Sequence, residues 1–166
     1  RLNEISSDES LRYKTGVLEL DRVLGGGVVP GSVMLLSGDP GIGKSTLLMQ
    51  TAARLTEIGT VLYVTGEESA AQLNLRAGRL GVTGEMLLLA ETDLAAIEAE
   101  INRIHPAFLI IDSVQTMSCA EISSAPGSVT QVREATALLT RVAKGTACAV
   151  FIVGHVTKEG AIAGPR

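Results

Sequence analysis

A chain of 166 residues, 46% hydrophobic and with a net charge of −4, is long enough for one domain with a sizeable core, and that charge excludes nucleic-acid binding through overall basicity. Mean hydropathy is positive at +0.32, yet no apolar run approaches the roughly 18–20 residues needed to cross a bilayer, so no membrane span is expected. Trp is absent and only two Phe and two Tyr occur, which leaves Leu, Ile, Val and Ala to fill the interior, as suits a parallel sheet between helices.

The amino-terminal residues Arg1, Asn3, Glu4, Asp8 and Glu9 break any signal-peptide pattern. Cys119 and Cys148 stand far apart without CxxC spacing, which excludes a self-contained four-cysteine zinc site and disfavours a disulfide framework. A reducing, cytoplasmic location is the expectation. Cys148, inside an apolar run, reads as a small core residue, and Cys119 in its polar stretch is assigned no role. The lack of an initiator methionine and the ending at Gly164-Pro165-Arg166 suggest a piece of a longer protein.

In chain order, the first apolar run, Val33–Ser37, leads directly into Gly38, Asp39, Pro40, Gly41, Ile42, Gly43, Lys44 and Ser45, which satisfies G-x-x-x-x-G-K-[ST]. A helix is expected next, over Thr46–Ile58. Glycines at 38, 41 and 43 place no side chains in the loop, so successive N–H groups can surround phosphates, and the positive end of the helix adds to the field. Lys44 is expected to reach the β- and γ-phosphates of ATP, the Ser45 hydroxyl to ligate Mg²⁺, and Thr46 to touch the α-phosphate.

The second run, Val61–Thr65, ends in Gly66 and the adjacent carboxylates Glu67 and Glu68. Neighbours leaving a strand point in different directions, so one of them should polarise the attacking water. Glu67 is the choice, with Glu68 as the alternative, and an acidic first turn that stabilises the next helix is the plain structural reading. Ser69 and Gln72 then have capping-box spacing, and Gly59 and Gly81 are expected to close helices in the left-handed conformation.

After the run Met86–Ala90, a helix is expected to start near Thr92-Asp93 and stop before Pro106, leaving His105 as an exposed cap residue. The run Phe108–Asp112 ends in a carboxylate placed to hold Mg²⁺ through water. Ser113–Gly127 has no period and is long enough to be functional or disordered. Ser128 and Gln131 again have capping-box spacing. Val129, Val132, Ala135, Leu139 and Val142 form an apolar stripe in the helix they open, opposite Arg133, Arg141 and Lys144, which solvate its other face. Gly145 is expected to end that helix, and a fifth strand, Ala147–Val153, leads to Gly154 and His155. At that edge a neutral imidazole suits a sensor of the γ-phosphate, although a lone histidine is more often structural. Five runs alternating with helices predict an α/β fold with a mostly parallel central sheet flanked by helices on both faces.

The motifs 15–32, 38–45, 63–69 and 154–160, in this order and spacing, resemble the ATPase domain of the bacterial RadA (Sms) DNA-repair family, and the likeness covers nearly the whole chain from Leu11. The resemblance implies that 1–166 is a RecA-like P-loop core. It implies a motor that assembles as a homo-oligomeric ring, a hexamer, encloses single-stranded DNA, and uses ATP to drive branch migration in recombination, with a recombinase as a possible partner. It assigns catalysis to Glu67 with Lys44 and His155, sensing to His155, and stacking on the adenine to Arg76, for which a solvent-exposed helical arginine is the bland reading. Segments 113–127 and 157–166 occupy the places of the DNA-facing loops, with Lys158 and Arg166 as their only bases.

The family's amino-terminal four-cysteine zinc module, its Lys-Asn-Arg-Phe-Gly motif and its Lon-protease-like domain are not among these residues, so zinc is expected only outside them. Tight Mg-nucleotide binding with slow hydrolysis is therefore expected, because a cationic finger supplied from elsewhere is worth ~10³–10⁵ in rate. Two rival readings stay open: a nucleotide-gated assembly ATPase of the circadian-clock type, and a P-loop kinase acting on a small molecule.

Overall fold

The computed structural model describes residues 11–39, 41–82 and 84–155. Five parallel strands, β1 (Val33–Gly38), β2 (Val61–Thr65), β3 (Met86–Ala90), β4 (Phe108–Asp112) and β5 (Ala149–His155), form one sheet in the order β1-β5-β4-β2-β3. Central β2 and β4 are buried at every position, while edge strands β1 and β3 are only partly covered. That gradient explains why the inner strands read as unbroken aliphatic runs.

Helices α2 (Lys44–Leu55) and α3 (Ala70–Arg79) cover one face, where Leu48, Met49, Leu55 and Leu73 pack on Tyr63, Phe108 and Phe151. Helices α4 (Leu94–Ile104) and α5 (Val129–Thr146) cover the other, where Ile97, Ile101, Leu138 and Leu139 pack on Val64, Ile111 and Ile152. A short helix α1 (Leu18–Val23) precedes β1, and Thr15 is tied to it by its N–H and hydroxyl, both donating to Asp21 Oδ1 at 2.7 and 2.8 Å. This is a RecA-like P-loop NTPase fold. Because every strand runs the same way, all five carboxyl ends lie on one edge, the edge where open α/β sheets place their ligands.

The boundaries of β2, β3 and β4 coincide with the sequence expectation, while β1 gains Gly38 and α2 lies over Lys44–Leu55 instead of Thr46–Ile58. The far end of the sheet differs. α5 runs through Gly145 to Thr146, and Ala147, not the glycine, takes the left-handed position with φ 57°. Gly31 N–H donates to Ala147 O at 2.9 Å, a tertiary bond that fixes the stop two residues later and starts β5 at Ala149.

Gly81 does adopt a positive φ, of 66°, but Gly59 does not. Gly59 is instead required by close approach, since a Cβ there would stand 2.7 Å from Ala107 Cβ. His105 is the exposed cap of α4, in the left-handed region with φ 50°. In α5 the stripe is Ala135, Leu138, Leu139, Val142 and Ala143. Val132 is half-buried, whereas Val129 in the first turn is 43% exposed. Cys148 is buried in the core, and burial pushes its thiol up to about 12.

Ser69 and Gln72 form the full capping box, while Ser128 and Gln131 form half of one. Ser128 Oγ accepts from Gln131 N–H at 3.3 Å, but the Gln131 amide turns to the segment before it. It accepts from Cys119 N–H at 2.8 Å and donates to the carbonyls of Cys119, Ile122 and Ser124 at 3.3, 3.2 and 2.9 Å. Segment 113–127 is therefore a packed structure, with a 3-10 helix over Val114–Thr116 and Met117 buried beneath it. Gln131→Ala leaves these half-buried groups without that partner and is expected to lower stability by about 1–3 kcal/mol, read as a shift of the urea midpoint.

Candidate nucleotide site

The glycine-rich loop joins β1 to α2, and Gly43 caps the helix at φ 91° with no side-chain cap bond and no acidic residue in the first turn. The first amides of α2 are thus left for an external acceptor. Gly41 has φ 83°, a left-handed conformation that suits glycine at both Gly41 and Gly43, and a Cβ at either would meet only open space. Lys44, 7% exposed, curls back and donates from Nζ to Gly38 O at 2.7 Å and Asp39 O at 2.6 Å. Its ammonium therefore lies inside the loop. Ser45 and Thr46 follow half-buried on the first turn, Asp39 and Ile42 are exposed, and Pro40 lies outside the described residues.

Asp112 ends β4 in register with Thr65 and is 4% exposed. Tyr63 donates its hydroxyl to Asp112 Oδ2 at 2.6 Å, and burial together with that carboxylate holds the phenol well above its usual range, so it remains a donor. Arg76 reaches over from α3: its Nη2 lies 2.8 Å from Glu68 Oε1, 3.4 Å from Tyr63 Oη and 3.9 Å from Asp112 Oδ2. With 22% side-chain exposure it is no solvent-exposed helical arginine, and it lines a groove of about 320 Å³ with Glu68, Gln72, Leu75 and Arg79.

The two carboxylates beyond β2 diverge. Thr65 Oγ1 accepts from the N–H groups of both Glu67 and Glu68 at 3.3 and 3.2 Å, which fixes the turn they leave from. Glu68 joins Arg76. Glu67 swings the other way, accepting from Ser113 Oγ at 3.0 Å and lying 3.3 Å from His155 Nε2. His155 ends β5 beside Gly38, the start of the phosphate loop. The Asp112–Ser113 peptide is cis.

Sequence reasoning named Lys44, Ser45, Glu67, Asp112 and His155, and the parallel sheet brings the ends of β1, β2, β4 and β5 to one edge. It missed Tyr63, Thr65, Ser113 and Gln115. Tyr63 carried one signal: it sits two places before Thr65 on the same face, in a chain with only two tyrosines. Segment 157–166, with Lys158 and Arg166, lies outside the described residues.

No group of three His, Cys, Asp or Glu able to hold a metal occurs among the described residues. Ser45 and Asp112 nevertheless offer hard oxygen donors, and Mg²⁺ characteristically takes one or two protein ligands together with phosphate and water. The residues fit Mg-nucleotide.

Fold and edge together define a P-loop NTPase. Residues 7–161 match the AAA domain family, and the chain belongs to it. It is 59% identical over its whole length to DNA repair protein RadA of Streptococcus pneumoniae, and 55% and 56% identical over 99% of its length to the RadA proteins of Halalkalibacterium halodurans and Listeria monocytogenes. The chain spans 40% of the first of these relatives and 36% of the other two. No helix among the described residues is long and apolar enough to cross a membrane.

Proposed function

We propose that this chain is the ATP-hydrolysing core of a DNA-repair motor. The observation that carries the reading is the placement of Glu67, beyond the end of β2 and against Ser113 and His155, on the edge that also holds the phosphate loop. Similarity to DNA repair proteins supplies the biological setting.

In this reading the loop amides and Lys44 hold the triphosphate, and Ser45 with Asp112 holds Mg²⁺, Asp112 through water. The metal, when bound, draws charge from the phosphate oxygens. Tyr63, donating to Asp112 Oδ2, and Arg76 beside it hold that carboxylate in place. Glu67 takes a proton from a water in line with the γ-phosphorus as the water oxygen bonds to phosphorus and the bond to the β-phosphate oxygen breaks, giving ADP and phosphate. Glu68 is neutralised by Arg76, which favours Glu67 as the base. His155 loses the γ-phosphate as a partner after release, the differential contact a sensor requires. Adenine beside Arg76 belongs to the same proposal, supported by the groove at α3.

DNA contact is assigned to 113–127 and 157–166, and homo-oligomeric ring assembly, branch migration and a recombinase partner belong to the same proposal. Segment 113–127 carries Glu121 and no Lys or Arg, so cationic contacts to phosphates fall to Lys158 and Arg166.

The test is steady-state ATP turnover by the full chain with and without single-stranded DNA, beside the 166 residues alone. Slow hydrolysis by the domain and stimulation of the full chain are expected. Turnover that needs a small-molecule acceptor would point to a kinase, and a full chain without DNA affinity would point to an assembly ATPase; either result contradicts the proposal.

A further inference from the structure

Pairing between β4 and β5 stops at Ile111 and Ile152, yet β5 continues to His155, held on its other side by β1 up to Gly38. On the flank that β4 vacates, the side chain of Gln115 takes the place of a strand. His155 N–H donates to Gln115 Oε1 at 3.3 Å, and Gln115 Nε2 donates to His155 O at 3.2 Å, so one carboxamide satisfies both main-chain groups of the residue. Two residues earlier, Ser113 Oγ holds Glu67. A single short stretch, Ser113–Gln115, thus grips both members of the Glu67–His155 pair.

That stretch fits because the sheet makes room for it. A Cβ on Gly66 would stand 2.1 Å from Thr116 Oγ1, and one on Gly154 would stand 3.3 Å from Leu35 Cδ1 and 3.8 Å from Gln115 Nε2. The 3-10 helix carrying Gln115 packs beside Gly66 and Gly154 at the ends of β2 and β5, and it is the first part of segment 113–127, whose later part is tied down by Gln131.

We propose that Gln115 is a positioning residue for hydrolysis. Its carboxamide sets the main chain of His155 so that the imidazole meets Glu67, and it thereby couples the geometry of that pair to the position of segment 113–127. The inference rests on the proposed ATPase reading and deepens it. A ligand that moves the segment withdraws or seats the carboxamide, and the hydrolytic step responds, whereas Lys44, held by Gly38 O and Asp39 O, keeps its place in the phosphate loop.

The experiment compares Gln115→Met and Gln115→Ala with wild type in the full chain. Met keeps the length of the side chain and removes both hydrogen bonds, which separates bonding from packing. Both variants are expected to lower kcat by about 10- to 10²-fold, the scale of a small misplacement at a reacting centre, with nucleotide Kd and KM within about twofold. Stimulation by single-stranded oligonucleotide is expected to fall to a ratio near one. A Met variant with wild-type kcat and stimulation overturns the proposal, as does a loss accounted for wholly by weaker nucleotide binding. The wild-type arm keeps the two readings apart: absence of hydrolysis or of stimulation there defeats the ATPase motor reading itself.

Discussion

Glu67→Gln is expected to slow single-turnover hydrolysis of Mg-ATP by about 10²- to 10⁴-fold, the range associated with removing a general base. Glutamine keeps the size of the side chain and an oxygen that accepts from Ser113 Oγ, now at 3.0 Å, so the surrounding structure is retained. What it loses is the ability to take a proton. Nucleotide affinity should stay within a few fold or improve, because a negative charge facing the γ-phosphate has been removed.

Glu68→Gln supplies the contrast. Its carboxylate is engaged with Arg76 at 2.8 Å, so its loss frees a guanidinium that already lies 3.9 Å from Asp112, and the expected effect on rate is below about tenfold. If Glu68→Gln abolished hydrolysis and Glu67→Gln did not, the assignment of the base would be reversed.

The second large effect is on binding. Lys44→Ala removes a buried ammonium that, in the proposed reading, would make two charge-assisted bonds to phosphate oxygens, worth about 1.5–3 kcal/mol each. With tenfold in Kd for every 1.4 kcal/mol, the variant should bind Mg-ATP about 10²- to 10⁴-fold more weakly. Having three donors, the ammonium can keep only one of its bonds to Gly38 O and Asp39 O while it serves two phosphate oxygens, so part of the loss is preorganisation of the loop.

The central strands β2 and β4 were legible because each is buried at every position and so written as an uninterrupted aliphatic run; β3, an edge strand and only partly covered, has the expected limits as well. The start of β5 was not, because the stop of α5 is set by Gly31 N–H on Ala147 O, a contact between residues far apart in the chain. Local spacing offered Gly145 and tertiary structure overrode it.

The same division runs through the site. The phosphate loop is contiguous, so its glycines, Lys44 and Ser45 declare themselves in one stretch of sequence. Asp112 is legible as the polar end of an apolar strand. Tyr63 on Asp112, Ser113 on Glu67 and Gln115 on His155 each join residues at least 40 positions apart, and no local period marks such pairs. Gln131 misled for a related reason: its spacing from Ser128 fits a capping box, but a buried amide finds stronger demand in the four loop groups facing it.

The central claim is that loop amides and one ammonium gather a triphosphate at the start of α2. Calorimetric titration of Mg-ATP into wild-type protein and into Lys44→Ala tests it most directly. A single site in the wild type, weakened at least about 10²-fold in the variant, is the predicted result. Equal affinities, or no binding to either protein, would contradict it.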